Sequence, residues 1–269
     1  MRSLRINGYD MPFIEIGAGA PLVAIHGSLG DFRSWSPVMG PLSRRYRLIV
    51  PSLRHFFPEH WDGKGDTYSI PQHTADVIAF IEGLGLGPVH LMGHSRGGHI
   101  AFRVAEQRPD LIRNLILAEP GGELDDSLMP LGQAPSAERV ESINVAARMI
   151  AAGDVDGGLE HFMDRIYGAG TWAKRPAASK QLRRDNATTL IGQINEMRRP
   201  FSRASAEAIR AATLLIGGAE TKGMLPVVLR ALAAAIPGAR AEMIPFASHN
   251  MFEQSPVRYA ELVVAFLGE

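Results

Sequence analysis

Six residues, Gly93-His94-Ser95-Arg96-Gly97-Gly98, constrain this chain more than any other stretch. They follow the apolar run Val89-His90-Leu91-Met92 and lead into Ile100-Ala101-Phe102-Arg103-Val104-Ala105, which reads as helix. A strand that turns this sharply into a helix crowds its own backbone, and glycines on both sides remove the Cβ atoms that would collide. The apex residue is then lifted clear with its side chain outward. Here it is a serine, and the helix start beneath it offers backbone N–H groups to a developing negative charge. A G-x-S-x-G pattern set between a strand and a helix is the context a serine nucleophile needs.

Strands and helices alternate around this turn. Residues 3–16 read as two short strands turning at Asn7-Gly8. Pro21-Leu22-Val23-Ala24-Ile25, ending at His26-Gly27, and Arg47-Leu48-Ile49-Val50 read as strands buried on both faces. A short helix over 34–42 separates them. Ser69-Ile70-Pro71 opens a helix with Val77, Ile78, Ile81 and Leu84 on one face, stopped by Gly85 and Gly87-Pro88. Leu115-Ile116-Leu117-Ala118 is the strand after the serine turn. Such alternation implies right-handed crossovers and a mostly parallel sheet, an α/β fold. It stops between Pro120 and Thr213, where only helix-like segments at 136–152, 157–167 and 180–197 appear. That interval is too long for a plain connection, so an inserted helical cap is expected. The pattern resumes with strands at 214–216 and 241–244 and helices at 225–235 and 257–267. The expected organisation is a core of 1–120 and 213–269, with a cap of 121–212.

The 269 residues are 46% apolar, enough for a sizeable core, and 28 basic side chains balance 28 acidic ones. This charge balance gives no reason to expect a nucleic-acid or anionic-membrane partner. The chain has no cysteine, which removes disulfides, thiolate catalysis and Cys-based metal sites. Met1 to Gly8 lacks the apolar segment of an export signal, and no apolar run approaches membrane-spanning length. A cytoplasmic protein acting on a small molecule is the expectation; oligomeric state is not legible.

With Gly93–Gly98, His26-Gly27 after a buried strand, and Ser248-His249 followed by Glu253 and Pro256, the chain resembles the α/β-hydrolase fold family over nearly its whole length. The resemblance implies an eight-stranded, mostly parallel sheet flanked by helices. The turn is also similar to the H-D-R-G-G form of dehalogenases and epoxide hydrolases, with Ser95 where they carry aspartate. Alkylation of a serine would leave an ether that water cannot clear, so the serine points to acyl chemistry. A serine hydroxyl needs a base, and the family order of serine, acid, histidine leaves His161 and His249. His161 lies in a helix-like segment of the cap; His249 follows a strand in a short loop and is the expected base.

The acid departs from the family pattern. Thr221 falls where the resemblance would place an aspartate, and threonine is never anionic. Two carboxylates compete: Glu119, directly beyond the strand after Ser95 and followed by Pro120-Gly121-Gly122, and Glu220, one residue from the usual position. Glu119 is favoured, because strand ends at this edge of an α/β sheet are where ligands collect. The expected oxyanion hole is the backbone N–H of Arg96 with that of Ser28. The similarity to dehalogenases gives the Arg96 side chain one reading, a grip on a substrate carboxylate with help from His99; the other is an ion pair with a cap or loop carboxylate. His26, Phe57, Trp61 and His99 are the expected pocket residues. His55 and His60 lack the further ligands a metal would need, and no metal or cofactor is expected. These readings converge on a serine hydrolase for a small ester or lactone. A small-molecule receptor retaining the triad and a carbon–carbon bond hydrolase are the rivals.

Overall fold

The hairpin expected at Asn7-Gly8 opens the chain. Strands β1 (Arg2–Ile6) and β2 (Tyr9–Ile16) pair antiparallel, and Asn7 and Gly8 both take positive φ, as a tight two-residue hairpin turn requires. The computed structural model describes all residues except Asp66, 131–136, Asn195, Met197 and Glu269, and gives only the backbone for 137–139. Six more strands follow: β3 (Pro21–Ile25), β4 (Arg47–Pro51), β5 (Val89–His94), β6 (Ile112–Ala118), β7 (Ala212–Gly218) and β8 (Arg240–Ile244). They form one eight-stranded sheet in the order β1-β2-β4-β3-β5-β6-β7-β8. β2 meets β4 antiparallel, and every pairing from β4 to β8 is parallel.

The period of two along each strand divides the core. Val23, Ile25, Leu91, Leu115 and Leu117 face one cluster, shared with α2 (Ile70–Leu84), α3 (Arg96–Gln107) and α9 (Met224–Ala235). Leu22, Ala24, Met92, Ile116 and Ala118 face the other, shared with α1 (Ser36–Ser43) and α11 (Pro256–Leu267). The α2 boundaries follow the sequence signals: Ser69 Oγ accepts the Gln72 N–H, and Gly85 closes the helix at φ 63°.

Between β6 and β7 the chain builds α4 (Ala137–Ala151), α5 (Val155–Tyr167), α6 (Thr171–Lys174), α7 (Ala177–Asp185) and α8 (Arg203–Glu207). Ala146, Leu159, Met163, Trp172 and Leu190 form a third apolar cluster here, which reaches the core loops through Leu29. The helix expected over 180–197 is two pieces. Asn186 interrupts it, donating from Nδ2 to Leu182 O and Asp31 Oδ2 and accepting the Phe57 N–H, and a 3₁₀ segment continues over Ala187–Gln193. The expected ends at Ser136 and Met197 lie outside the described residues. The short helix α10 (Met251–Gln254), which carries no periodicity to read, follows His249. Among the described residues no helix is long and apolar enough to cross a membrane.

Candidate active site

Ser95 occupies φ 52°, ψ −117°, between the last residue of β5 and the first of α3. Such a conformation costs a non-glycine residue about 1–3 kcal/mol and persists only where its surroundings dictate it. Three backbone hydrogen bonds do so: Ser95 N–H donates to Ala118 O (3.0 Å), and Ser95 O accepts from His99 N–H (3.0 Å) and Gly121 N–H (2.8 Å). A Cβ at Gly93 would meet the Gly97 carbonyl, and one at Gly97 would meet the carbonyls of Ile25 and His26. The glycines are therefore steric requirements of the bend.

The strand after Ser95 ends in a second strained residue. Glu119, with φ 39°, is fully buried, and its N–H donates to Ile216 O (3.0 Å). One carboxylate oxygen accepts the Gly218 N–H (2.9 Å); the other lies 2.7 Å from His249 Nδ1. A carboxylate only accepts, so Nδ1 carries a proton, the tautomer that in a neutral ring leaves the Nε2 lone pair free. His94 donates from Nε2 to the backbone O of His249 (2.8 Å), and the two rings are 4.5 Å apart. Burial and the neighbouring His249 hold the His94 imidazole well below its ordinary pKa, hence neutral. On the other side, Tyr167 donates to Asn250 Oδ1 (2.7 Å), and Arg175 and Arg183 of the β6–β7 excursion clasp Glu253.

Ser95 and His249 both line a cavity of about 350 Å³ and a second of about 30 Å³. Their side chains are not hydrogen-bonded to each other here, a contact that in unliganded sites often closes only with substrate. The Arg96 N–H opens α3 and has no intrahelical acceptor. Among the described residues no hydrogen bond occupies it or the Ser28 N–H.

A family model described as alpha/beta hydrolase fold matches residues 20–256. The chain belongs to the alpha/beta hydrolase fold family. It is 30% identical to 2-hydroxy-6-oxo-2,4-heptadienoate hydrolase of Pseudomonas putida over 150 residues, 53% of this chain and 54% of the relative. Among solved structures, an enol-lactonase from Burkholderia xenovorans matches with TM-score 0.78 at 22% identity, covering 99% of this chain and all of its own. A thermophilic esterase from Thermogutta terrifontis matches with TM-score 0.76 at 24% identity, covering 98% of this chain and 96% of its own. These two likenesses speak for the fold.

In this alpha/beta hydrolase Glu119 and Glu220 differ plainly. Glu220 is exposed, with its backbone tied to Ala247 O, and among the described residues no ion pair or side-chain hydrogen bond holds its carboxylate. The Arg96 side chain takes the second of its two readings: it is fully buried, and its terminal nitrogens each lie 2.7 Å from an oxygen of Glu196. Its guanidinium also stacks on Tyr68 at 4.5 Å. The fork is spent inside the protein.

The four expected pocket residues divide, one lining a cavity and three not. His26 lines the smaller cavity, but it is a loop-ordering residue: Nδ1 donates to Gly27 O (2.9 Å), Nε2 accepts the Leu53 N–H (3.0 Å), and burial lowers its pKa to about 4. Phe57, Trp61 and His99 line neither cavity. Phe57 lies under the Arg33 guanidinium at 3.8 Å; Trp61 stacks on His55 and Tyr68. His99 donates to Gly121 O and packs on Phe201. Aromatic and imidazole side chains near a strand end found partners in the loops instead of the cavity. His161 is exposed and bonds Ser142 Oγ. Lining residues that the sequence reading missed include Glu123, Arg165, Gln193, Arg198 and Lys222. They come from four separate segments and share no spacing, so nothing short of the tertiary structure brings them together.

Proposed function

We propose that this alpha/beta hydrolase cleaves small carboxylic esters or lactones through an acyl-enzyme. Ser95 Oγ attacks the carbonyl while His249 Nε2 takes its proton, and the tetrahedral oxyanion is met by the N–H groups of Arg96 and Ser28. The imidazolium that forms is stabilised by Glu119, 2.7 Å from Nδ1. His249 then protonates the leaving alcohol and activates the water that releases the acid. Residues 121–212 act as a cap over this chemistry, since Ile143, Phe162 and Ile166 wall the same cavity as Ser95.

The observation that carries the reading is the buried Glu119–His249 pair, set with Ser95 on one cavity. Burying a carboxylate is costly, and here an imidazole and a backbone N–H offset that cost. A fluorophosphonate probe, with hydrolysis of short p-nitrophenyl esters, tests it. Wild type is expected to label and turn over, and Ser95→Ala to lose both, with turnover falling about 10⁵–10⁶-fold. Labelling that persists in Ser95→Ala overturns the assignment. Similarity to the heptadienoate hydrolase favours carbon–carbon cleavage as a second reading. A vinylogous 1,5-diketone panel, run beside the esters, separates the two.

A further inference from the structure

The 350 Å³ cavity has a lopsided lining. Among the described residues that line it, Arg165, Arg198 and Lys222 stand against one carboxylate, Glu123. Arg165 and Lys222 are exposed at their positions, whereas the Arg198 side chain is only 6% exposed. Burying a guanidinium is costly, and the cost is met only by fixed acceptors or a bound anion. Arg198 is fixed. Its Nε donates to Glu196 Oε2 (2.8 Å), one terminal nitrogen to Gln193 Oε1 (3.1 Å), and the other lies 3.5 Å from Gly121 O. Glu196, however, already gives both oxygens to Arg96, so two guanidiniums share one carboxylate. Gly121 is the residue whose N–H holds Ser95 O. Arg198 is therefore a fixed cation on the wall of the same cavity that Ser95 lines.

We infer that the larger cavity selects substrates bearing a carboxylate remote from the scissile bond. Arg198 is the specificity-determining residue, and Lys222 and Arg165 draw the anion in from the mouth. At about 30 Å³ against about 350 Å³, the smaller cavity takes the smaller of the two substrate groups. Half-esters of short dicarboxylic acids fit both compartments. A buried guanidinium binds a carboxylate through charge-assisted hydrogen bonds, worth a factor of about 10–100 in affinity.

The assay rests on the ester-hydrolase reading. Monomethyl glutarate is compared with methyl pentanoate, and O-acetylglycolate with propyl acetate, so that the carboxylate is tested on the acyl side and on the alcohol side. In at least one pair kcat/KM is expected to be about 10–100-fold higher for the anion, and the ratio is expected to fall as ionic strength rises. Arg198→Met is expected to bring that ratio close to one, Arg198→Lys to restore part of it, and Lys222→Met, at an exposed position, to lower it about 2–5-fold. Ratios near one in both pairs for wild type overturn the inference, and a large ratio untouched by either Arg198 variant overturns the assignment to Arg198. Should Arg198→Met fail to fold, the wild-type ratios, Arg198→Lys and Lys222→Met still decide. Should no ester turn over, calorimetric titration with glutarate and with pentanamide separates the two failures. Glutarate binding that weakens in Arg198→Lys keeps the anion site and retires the hydrolase; equal binding of the two ligands retires the site.

Discussion

Glu119 and Glu196 are both buried carboxylates answering to neighbours of Ser95, and the fold supplies them from opposite sources. Glu119 stands at the end of a core strand and meets one imidazole and one backbone N–H. Glu196 comes from the helical excursion and meets two guanidiniums, Arg96 and Arg198. An imidazole can gain or lose a proton near neutral pH; a guanidinium cannot. The first carboxylate therefore faces a partner whose charge can change during a reaction, while the second faces charge that is permanent. Burial alone does not distinguish a carboxylate that serves chemistry from one that serves architecture. What differs here is the partner, because only the imidazole can change charge near neutral pH.

Removing each charge without changing shape is the direct way to break this comparison. Glu119→Gln keeps an acceptor for the Gly218 N–H but cannot hold the Nδ1–H tautomer or stabilise an imidazolium. The equivalent loss in a serine-protease triad costs about 10⁴ in kcat, and a fall of about 10³–10⁴ in ester turnover is expected here. A loss under tenfold, measured on folded protein by steady-state kinetics, would place Glu119 among structural carboxylates.

Glu196→Gln should act first on stability. Stripping one partner from a buried ion pair typically costs about 3–5 kcal/mol, and here two cations are left behind. Urea unfolding at neutral pH is expected to show a loss of about that size, with no loss of turnover comparable to that of Glu119→Gln. Acid adds a second reading. Burial by itself would raise the Glu196 pKa, but Arg96 and Arg198 override it and hold the carboxyl well below the usual carboxylate range. A group depressed in the folded state gives its stability in full above its unfolded pKa and loses it as pH falls towards the folded value. The gap between wild type and Glu196→Gln should therefore be widest above about pH 4.5, the ordinary glutamate range, and close as the pH is lowered. A gap independent of pH would mean that Glu196 contributes shape and not charge.

The sequence discloses the two sides of this comparison unequally, for a physical reason. The core elements are local: continuous apolar runs mark β3 and β5, glycines mark the Ser95 bend, and Ser69 and Gly85 mark the ends of α2. Glu119 is visible because it directly follows β6, and strand ends in such a sheet share one edge. The Arg96–Glu196 pair joins residues 100 positions apart, and no spacing encodes it. The broken helix at Asn186 is similar. Asn, Ala and two Thr are a weak local signal, and the break is fixed by hydrogen bonds to Asp31 and Phe57 in core loops. Phe57 and Trp61 misled for the opposite reason. Their composition looks like a pocket, yet stacking of Trp61 on His55 and Tyr68, and of Phe57 on Arg33, satisfies them locally.

The smallest expected effect sharpens the comparison most. Glu220 lies one residue from Thr221, where the family resemblance places an acid, so sequence position alone makes it a rival to Glu119. Its backbone N–H is anchored on Ala247 O (2.8 Å), two residues before His249, yet its side chain is exposed and holds no partner among the described residues. In water a carboxylate is solvated whether or not an imidazole nearby gains charge, and its field is screened. Glu220→Gln should therefore change stability by no more than about 0.5 kcal/mol, as for a surface site away from special features, and turnover by less than about twofold. If instead Glu220→Gln matched the loss in Glu119→Gln, the buried pair seen here would be a resting arrangement, and His249 would turn to the outer carboxylate during catalysis. The double variant discriminates further. Two carboxylates serving one imidazole in turn give non-additive losses, whereas a working Glu119 beside an idle Glu220 leaves the double variant equal to Glu119→Gln alone.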